Sequence, residues 1–134
     1  MPTNDPNIFP ALRYRDAPKA IEWLGTAFGF APHFVVPGEE GTIAHAQLRL
    51  GRGMIMLGST RDDELPVEPP RPGGVVTQVI YVYVPDADAH YERAVAAGAH
   101  IERELSDTEY GSREYQARDP EGHLWSFGTY DPYA

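Results

Sequence analysis

Cysteine is absent from all 134 residues. That excludes disulfides, thiolate metal sites and cysteine nucleophiles together. Basic residues are scarce, with 11 Lys and Arg against 20 Asp and Glu and a formal charge of −9. Nucleic acids and anionic membranes are bound by neutralising phosphate with Lys and Arg, so both are disfavoured, and a small neutral or cationic partner is expected. No run approaches about 18 apolar residues, the length a membrane span needs. The start Met1-Pro2-Thr3-Asn4-Asp5 has neither the basic nor the apolar region of a signal peptide. A cytoplasmic protein is the expectation.

What the chain does have is repetition. Asp16-Ala17-Pro18-Lys19-Ala20-Ile21-Glu22-Trp23-Leu24, running on to Phe28-Gly29-Phe30, returns as Asp86-Ala87-Asp88-Ala89-His90-Tyr91-Glu92-Arg93-Ala94, running on to Ala97-Gly98-Ala99. An apolar strand precedes each copy and three strand-like runs follow. Two copies are too few for a solenoid, which stacks three or more, and the chain is short for two independent cores. The reading is a single α+β domain of two βαβββ modules, at about residues 8–58 and 75–130, joined by a linker over 59–74. A cleft between such modules is the natural place for a ligand.

Local patterns place the elements. Ile8 to Tyr14 reads as a strand, with Pro10 tolerated near its start or at an edge. A helix follows from Asp16 or Ala17, with Pro18 in its first turn and Gly29 as its stop. Phe34 to Val36, Ile43 to Leu50 and Met54 to Leu57 read as strands; in the second of these Ala44, Ala46, Leu48 and Leu50 alternate with His45, Gln47 and Arg49. Residues 58–74 follow neither period. Val75 to Val84 reads as a strand with Ile80, Val82 and Val84 toward the helix and Val79, Tyr81 and Tyr83 toward the cleft. Then come a helix over Asp86 to Ala97 closed by Gly98, and strands at Ile101 to Leu105, Arg113 to Ala117 and Leu124 to Tyr130. The last two are joined by the turn Arg118-Asp119-Pro120-Glu121-Gly122-His123.

The run Ala117-Arg118-Asp119-Pro120-Glu121-Gly122-His123-Leu124-Trp125-Ser126-Phe127 is preceded by Val84-Pro85-Asp86-Ala87-Asp88-Ala89 and Ala94-Val95-Ala96-Ala97-Gly98-Ala99. Together they resemble the glyoxalase/bleomycin-resistance/dioxygenase family of the vicinal oxygen chelate superfamily, over about Ile8 to Tyr130. The resemblance implies paired modules whose sheets curve around a groove, commonly in homodimers. It leaves the chemistry open, because the family holds metal-dependent isomerases, ring-cleaving dioxygenases, epoxide-opening resistance enzymes and proteins that sequester antibiotics.

Metal-dependent members of the family ligate a divalent ion through His, Gln or Glu on the first and last strands of each module. Those positions fall here on Phe9, Met56, Val79 and Ser126. Two hydrocarbons, a soft thioether and a weak neutral oxygen do not make such a site, so no metal cofactor is expected. Of the five histidines, His45 faces the inferred groove. His123 reads as a turn residue, His90 as a solvated helix position, and His33 and His100 as strand-edge residues.

The inferred groove lining is Phe9, Arg13, His45, Gln47, Met54, Met56, Val79, Tyr81 and Tyr83, with Tyr115 and Ser126, and with Tyr110 and Arg113 from a loop at its mouth. Trp125 and Phe127 have the opposite parity to Ser126 and read as core. Aromatic faces, flexible thioethers and a few polar groups suit a planar or amphipathic molecule. The leading expectation is a metal-independent binding protein of the bleomycin-resistance type that sequesters an antibiotic or aromatic metabolite. The alternative is a lyase or isomerase with His45 as general base and Tyr81, Tyr83 or Tyr115 as proton donor. A third reading has the groove filled by the chain's own Pro66 to Pro72 segment.

Overall fold

Asp16 and Gly29 fix the first helix. In the computed structural model, which describes residues 5–134, strand β1 (Ala11–Tyr14) leads into helix α1 (Ala17–Phe28). The Asp16 Oδ1 accepts the Lys19 N–H at 3.2 Å, Pro18 occupies the first turn, where its missing N–H leaves no bond unmade, and Gly29 ends the helix at φ 90°. The second helix repeats the device. Strand β5 (Ile80–Tyr83) precedes α2 (Ala87–Ala96), and Asp86 Oδ1 accepts the Ala89 N–H at 3.0 Å. The leader reading at residues 1–4 lies outside the described residues.

Three strands follow each helix: β2 (Ala31–Pro37), β3 (Ile43–Leu50) and β4 (Gly53–Ser59) after α1, and β6 (His100–Asp107), β7 (Arg113–Arg118) and β8 (Leu124–Gly128) after α2. The sheets have the same topology, β1-β4-β3-β2 and β5-β8-β7-β6. In each, the first strand pairs in parallel with the last and the other pairings are antiparallel. This is the expected α+β fold of two βαβββ modules.

The chain divides into two compact units, residues through Gly25 with Gly29–Pro69, and Thr26–Phe28 with Pro70–Ala134. The segment expected as linker is therefore shared, residues 59–69 belonging to the first unit. Leu12, Leu24, Ala46, Leu48, Ile55 and Leu57 are buried in the first unit. The core of the second is aromatic: Phe127 lies 4.6 Å from Phe28, 4.3 Å from His90 and 5.1 Å from Tyr115, centroid to centroid.

Several strand ends differ from expectation. The first strand starts at Ala11 rather than Ile8, because Pro10 has no N–H for the ladder, although its carbonyl still accepts the Met56 N–H at 2.8 Å. The fifth starts at Ile80 rather than Val75, and Val75 and Val79 are exposed: an apolar β-branched run without a pairing partner stays outside the sheet. The eighth stops at Gly128 rather than Tyr130.

The Asp119 turn has a clear cause. Asp119 is buried; its Oδ1 accepts the backbone N–H groups of Glu121 and His123 at 3.0 and 3.1 Å, and its Oδ2 accepts the Trp125 Nε1–H at 3.1 Å. Gly122 takes φ 95°, where a side chain would be strained.

Candidate binding faces

Strand parity sorts the side chains of the first unit. Ala11 and Gln47 both pair with Met56, Arg13 pairs with Gly58, and Arg49 with Met54. Across the other edge Phe34 pairs with Gln47 and Val36 with His45. Alternation then places Arg13, His45, Gln47, Met54 and Met56 on one face with Phe34 and Val36, and turns Leu12, Ala46, Leu48, Ile55 and Leu57 to the other, core side. Phe9 lies before the strand and is exposed, as are Phe34 and Val36. The two β2 residues escaped the sequence reading, which had no register for that strand.

Polar groups on this face are linked. The His45 Nε2 lies 3.0 Å from Gln47 Oε1, and the Gln47 amide donates to the Met54 sulfur at 3.5 Å. An amide oxygen only accepts, so Nε2 carries the hydrogen in this contact. A cavity of about 170 Å³ is lined by Ala11, Arg13, His45, Met56 and Gly58 and by Arg61, Leu65 and Val67 from the segment after β4.

Arg13 corrects its expected role. It is 5 % exposed and clamps that segment: Nη1 donates to Asp63 Oδ1 at 2.9 Å and to the carbonyls of Leu65 and Arg61 at 3.1 and 3.3 Å, while Nη2 donates to Asp63 Oδ2 at 2.8 Å. The planar fork matches a carboxylate bidentately. Hydrogen bonding to Arg13, with help from Arg61 at 3.0 Å, holds the Asp63 carboxyl down to about 2. A ligand-orienting guanidinium was expected; a structural tether is found. The segment over this face is 61–67, rather than Pro66 to Pro72.

In the second unit Tyr81 pairs with Ser126, and Tyr83 with Gly128, which also pairs with Glu114. Tyr81, Tyr83, Ser126, Glu114 and Gln116 thus share one face. Tyr81 donates from its hydroxyl to the Tyr130 carbonyl at 2.7 Å, and burial pushes its phenol pKa up. Tyr110 is exposed, in the turn before β7, and its hydroxyl donates to Glu114 at 2.9 Å.

Two expected site residues lie on the opposite side of β7. Tyr115 pairs with Phe127 and is 0 % exposed, because odd-numbered residues of this strand face the core; burial pushes its phenol pKa well up. Arg113 has the same parity and is tied to Asp88 and Asp107 at 3.1 and 3.0 Å. Choosing the aromatic residue of β7 for the groove inverted the strand and hid Glu114. His90 is a further correction, since it is half-buried rather than solvated. Its Nε2 donates to the Phe28 carbonyl at 2.8 Å, so its Nδ1 accepts from the Tyr115 hydroxyl at 2.6 Å. Burial lowers its pKa.

The strand positions that would carry a family metal were tested on their donor atoms. Ala11 and Met56 stand side by side in the first sheet, Tyr81 and Ser126 in the second, while Phe9 and Val79 precede their strands. Hydrocarbon, thioether, a phenol of raised pKa and one hydroxyl do not fit a divalent ion. Among the described residues, no three His, Asp or Glu side chains gather where they can hold a metal.

Two βαβββ halves, each closing its sheet by a parallel pairing of first and last strands, define a glyoxalase-type fold. The chain belongs to the Glyoxalase/Bleomycin resistance protein/Dioxygenase superfamily, whose family model matches residues 9–127. It is similar to an uncharacterized protein of Mycobacterium bovis, 34 % identical over 131 residues that cover 92 % of this chain and 83 % of the relative. Among solved structures, TioX from Micromonospora sp. ML1 is 38 % identical, with 92 % of this chain and 97 % of that chain covered and a TM-score of 0.74. FosX, the fosfomycin resistance protein of Listeria monocytogenes, solved with Mn(II) and sulfate, is 14 % identical over 96 % of this chain and 94 % of its own, TM-score 0.69. At that identity the likeness is one of fold. No helix among the described residues is long and apolar enough to cross a membrane.

Proposed function

We propose that this chain is a metal-independent binding protein of the glyoxalase/bleomycin-resistance type that sequesters a small aromatic or amphipathic molecule, an antibiotic being one such ligand. One observation carries the reading: the positions where metal-dependent relatives place their ligands fall on Phe9, Met56, Val79 and Ser126, which make no divalent donor set, and the sheet faces at Met56 and Ser126 also bear Phe34, Val36 and Tyr83. Exposed apolar and aromatic groups interleaved with a few polar ones favour a flat, partly apolar ligand. The protein acts as a cytoplasmic homodimer in this reading. A lyase or isomerase using His45 is less well supported, because the hydrogen-bonding neighbour of His45 is the amide of Gln47 and one of its three candidate proton donors, Tyr115, is buried in the core.

The test has two parts. Elemental mass spectrometry on protein purified without chelator and re-exposed to Zn, Mn, Fe and Ni is expected to find well under one equivalent of metal. A calorimetric screen of planar aromatic compounds is expected to give saturable binding without turnover. About one equivalent of tightly held metal per chain, or conversion of a bound compound, overturns the reading.

A further inference from the structure

Glu114 is a carboxyl group only 9 % exposed that the reading above does not use. It stands opposite Gly128 in the β7–β8 pairing. A Cβ on Gly128 would lie 2.6 Å from the Glu114 Cγ and 2.7 Å from the Tyr81 hydroxyl oxygen. The absent side chain is what lets the carboxyl group and the Tyr81 hydroxyl converge over one backbone position. The Tyr110 hydroxyl lies 2.9 and 3.0 Å from the two carboxyl oxygens, and the Tyr130 ring meets Tyr110 edge-on at 6.1 Å.

Buried carboxylates normally have a cationic partner, since an uncompensated buried charge is costly. Among the described residues, no Lys, Arg or His forms an ion pair with Glu114. The basic residues at either end of its strand are committed elsewhere, Arg113 to Asp88 and Asp107, and Arg118 to Glu102. Arg103, whose charge reaches Tyr110, makes no ion pair with the carboxyl group either. Tyr110 supplies one hydrogen to a group with about four lone-pair directions. Acceptor capacity therefore remains, with the tyrosines Tyr81, Tyr110 and Tyr130 close by, and aromatic rings attract cations through their quadrupoles.

We propose that Glu114, with Tyr81, Tyr110 and Tyr130 around it, holds an organic ammonium group. The carboxylate accepts the N–H donors, the rings cover the adjoining carbons, and a net charge of −9 favours the approach of a cation. This rests on the binding reading and deepens it, naming a basic amine as the ligand class and placing its charged end on the second unit. An anionic ligand is repelled there, and a neutral isostere leaves the carboxylate without its partner.

The probes are benzylammonium and its neutral analogue benzyl alcohol, titrated at neutral pH and read by backbone amide shifts. Benzylammonium is expected to bind about tenfold more tightly than the alcohol, shifting residues 110–115 and 128–130. Glu114→Gln is expected to abolish the preference for the ammonium over the alcohol. Tyr110→Ala, at an exposed turn position, is expected to weaken ammonium binding and reduce the preference, and guards against misfolding of the first variant. Equal binding of the two probes, shifts confined to the residues around His45, or an unchanged preference in both variants overturns the ammonium site. An aromatic hit from the screen above without ammonium preference removes this inference and leaves the binding reading standing.

Discussion

Asp119 and Glu114 are both buried, and their surroundings give them opposite uses. Asp119 accepts three N–H donors from its own turn and from Trp125, whereas Glu114 accepts a hydrogen bond from the phenol of Tyr110. Asp119 is therefore a structural residue: Asp119→Ala leaves the Trp125 Nε1–H and two backbone N–H groups without their acceptor. The expected loss is about 3 kcal/mol, measured by urea unfolding, with Asp119→Asn losing less because an amide oxygen can still accept from the turn. The turn motif was legible from Asp119-Pro120-Glu121-Gly122-His123, but its cause lies in a hydrogen bond to a residue six positions away. His90 was misread as solvated although it falls on the same helix face as the buried Ala87 and Ala94, where a polar side chain needs partners, which Tyr115 and Phe28 supply.

The segment from Arg61 to Val67 has no helix or strand and is nonetheless tied to the sheet. Asp63 connects it to β1 through Arg13 and caps its own turn by accepting the Leu65 N–H at 3.1 Å. Asp63→Ala is expected to raise amide hydrogen exchange at 61–67 by about tenfold or more while the strands keep their protection; unchanged exchange there means that the tether is not what orders the segment. Because the Asp63 carboxyl is held down to about 2 in the folded protein, the tether persists through mildly acid solution and is lost as pH falls through that value. Helix limits and the β3 strand were readable from caps and alternation. The side to which β7 turns was misread although Glu114, Gln116 and Arg118 alternate with Tyr115 and Ala117, because a tyrosine suits either a core or a groove; the register to Gly128 and Phe127 decides it.

For the molecule as a whole, the duplication was the strongest signal, since the same capped helix and the same strand order recur in both halves. Site chemistry was less legible because it depends on which of two faces a residue occupies and on contacts across dozens of residues. Sensitivity to mild acid follows from burial in the second unit. His90 has a lowered pKa when folded, so the unfolded chain takes up the proton first as pH drops. Its contribution is complete above the unfolded value of about 6.5 and declines as pH falls from there toward the lower folded value. Thermal melting is expected to drop over that interval, and His90→Gln is expected to flatten that part of the curve at the expense of stability at neutral pH; an unaltered slope assigns the acid sensitivity to other groups.

The Arg13 clamp also says where the first half ends as a unit of inheritance. A gene fragment closed after the last strand of that half, at Ser59, would strip the Arg13 guanidinium of the acceptors that Arg61, Asp63 and Leu65 provide. What looked like a connector between two copies is tied to the first copy, and exchanging the halves of this chain without residues 61–65 would break the clamp.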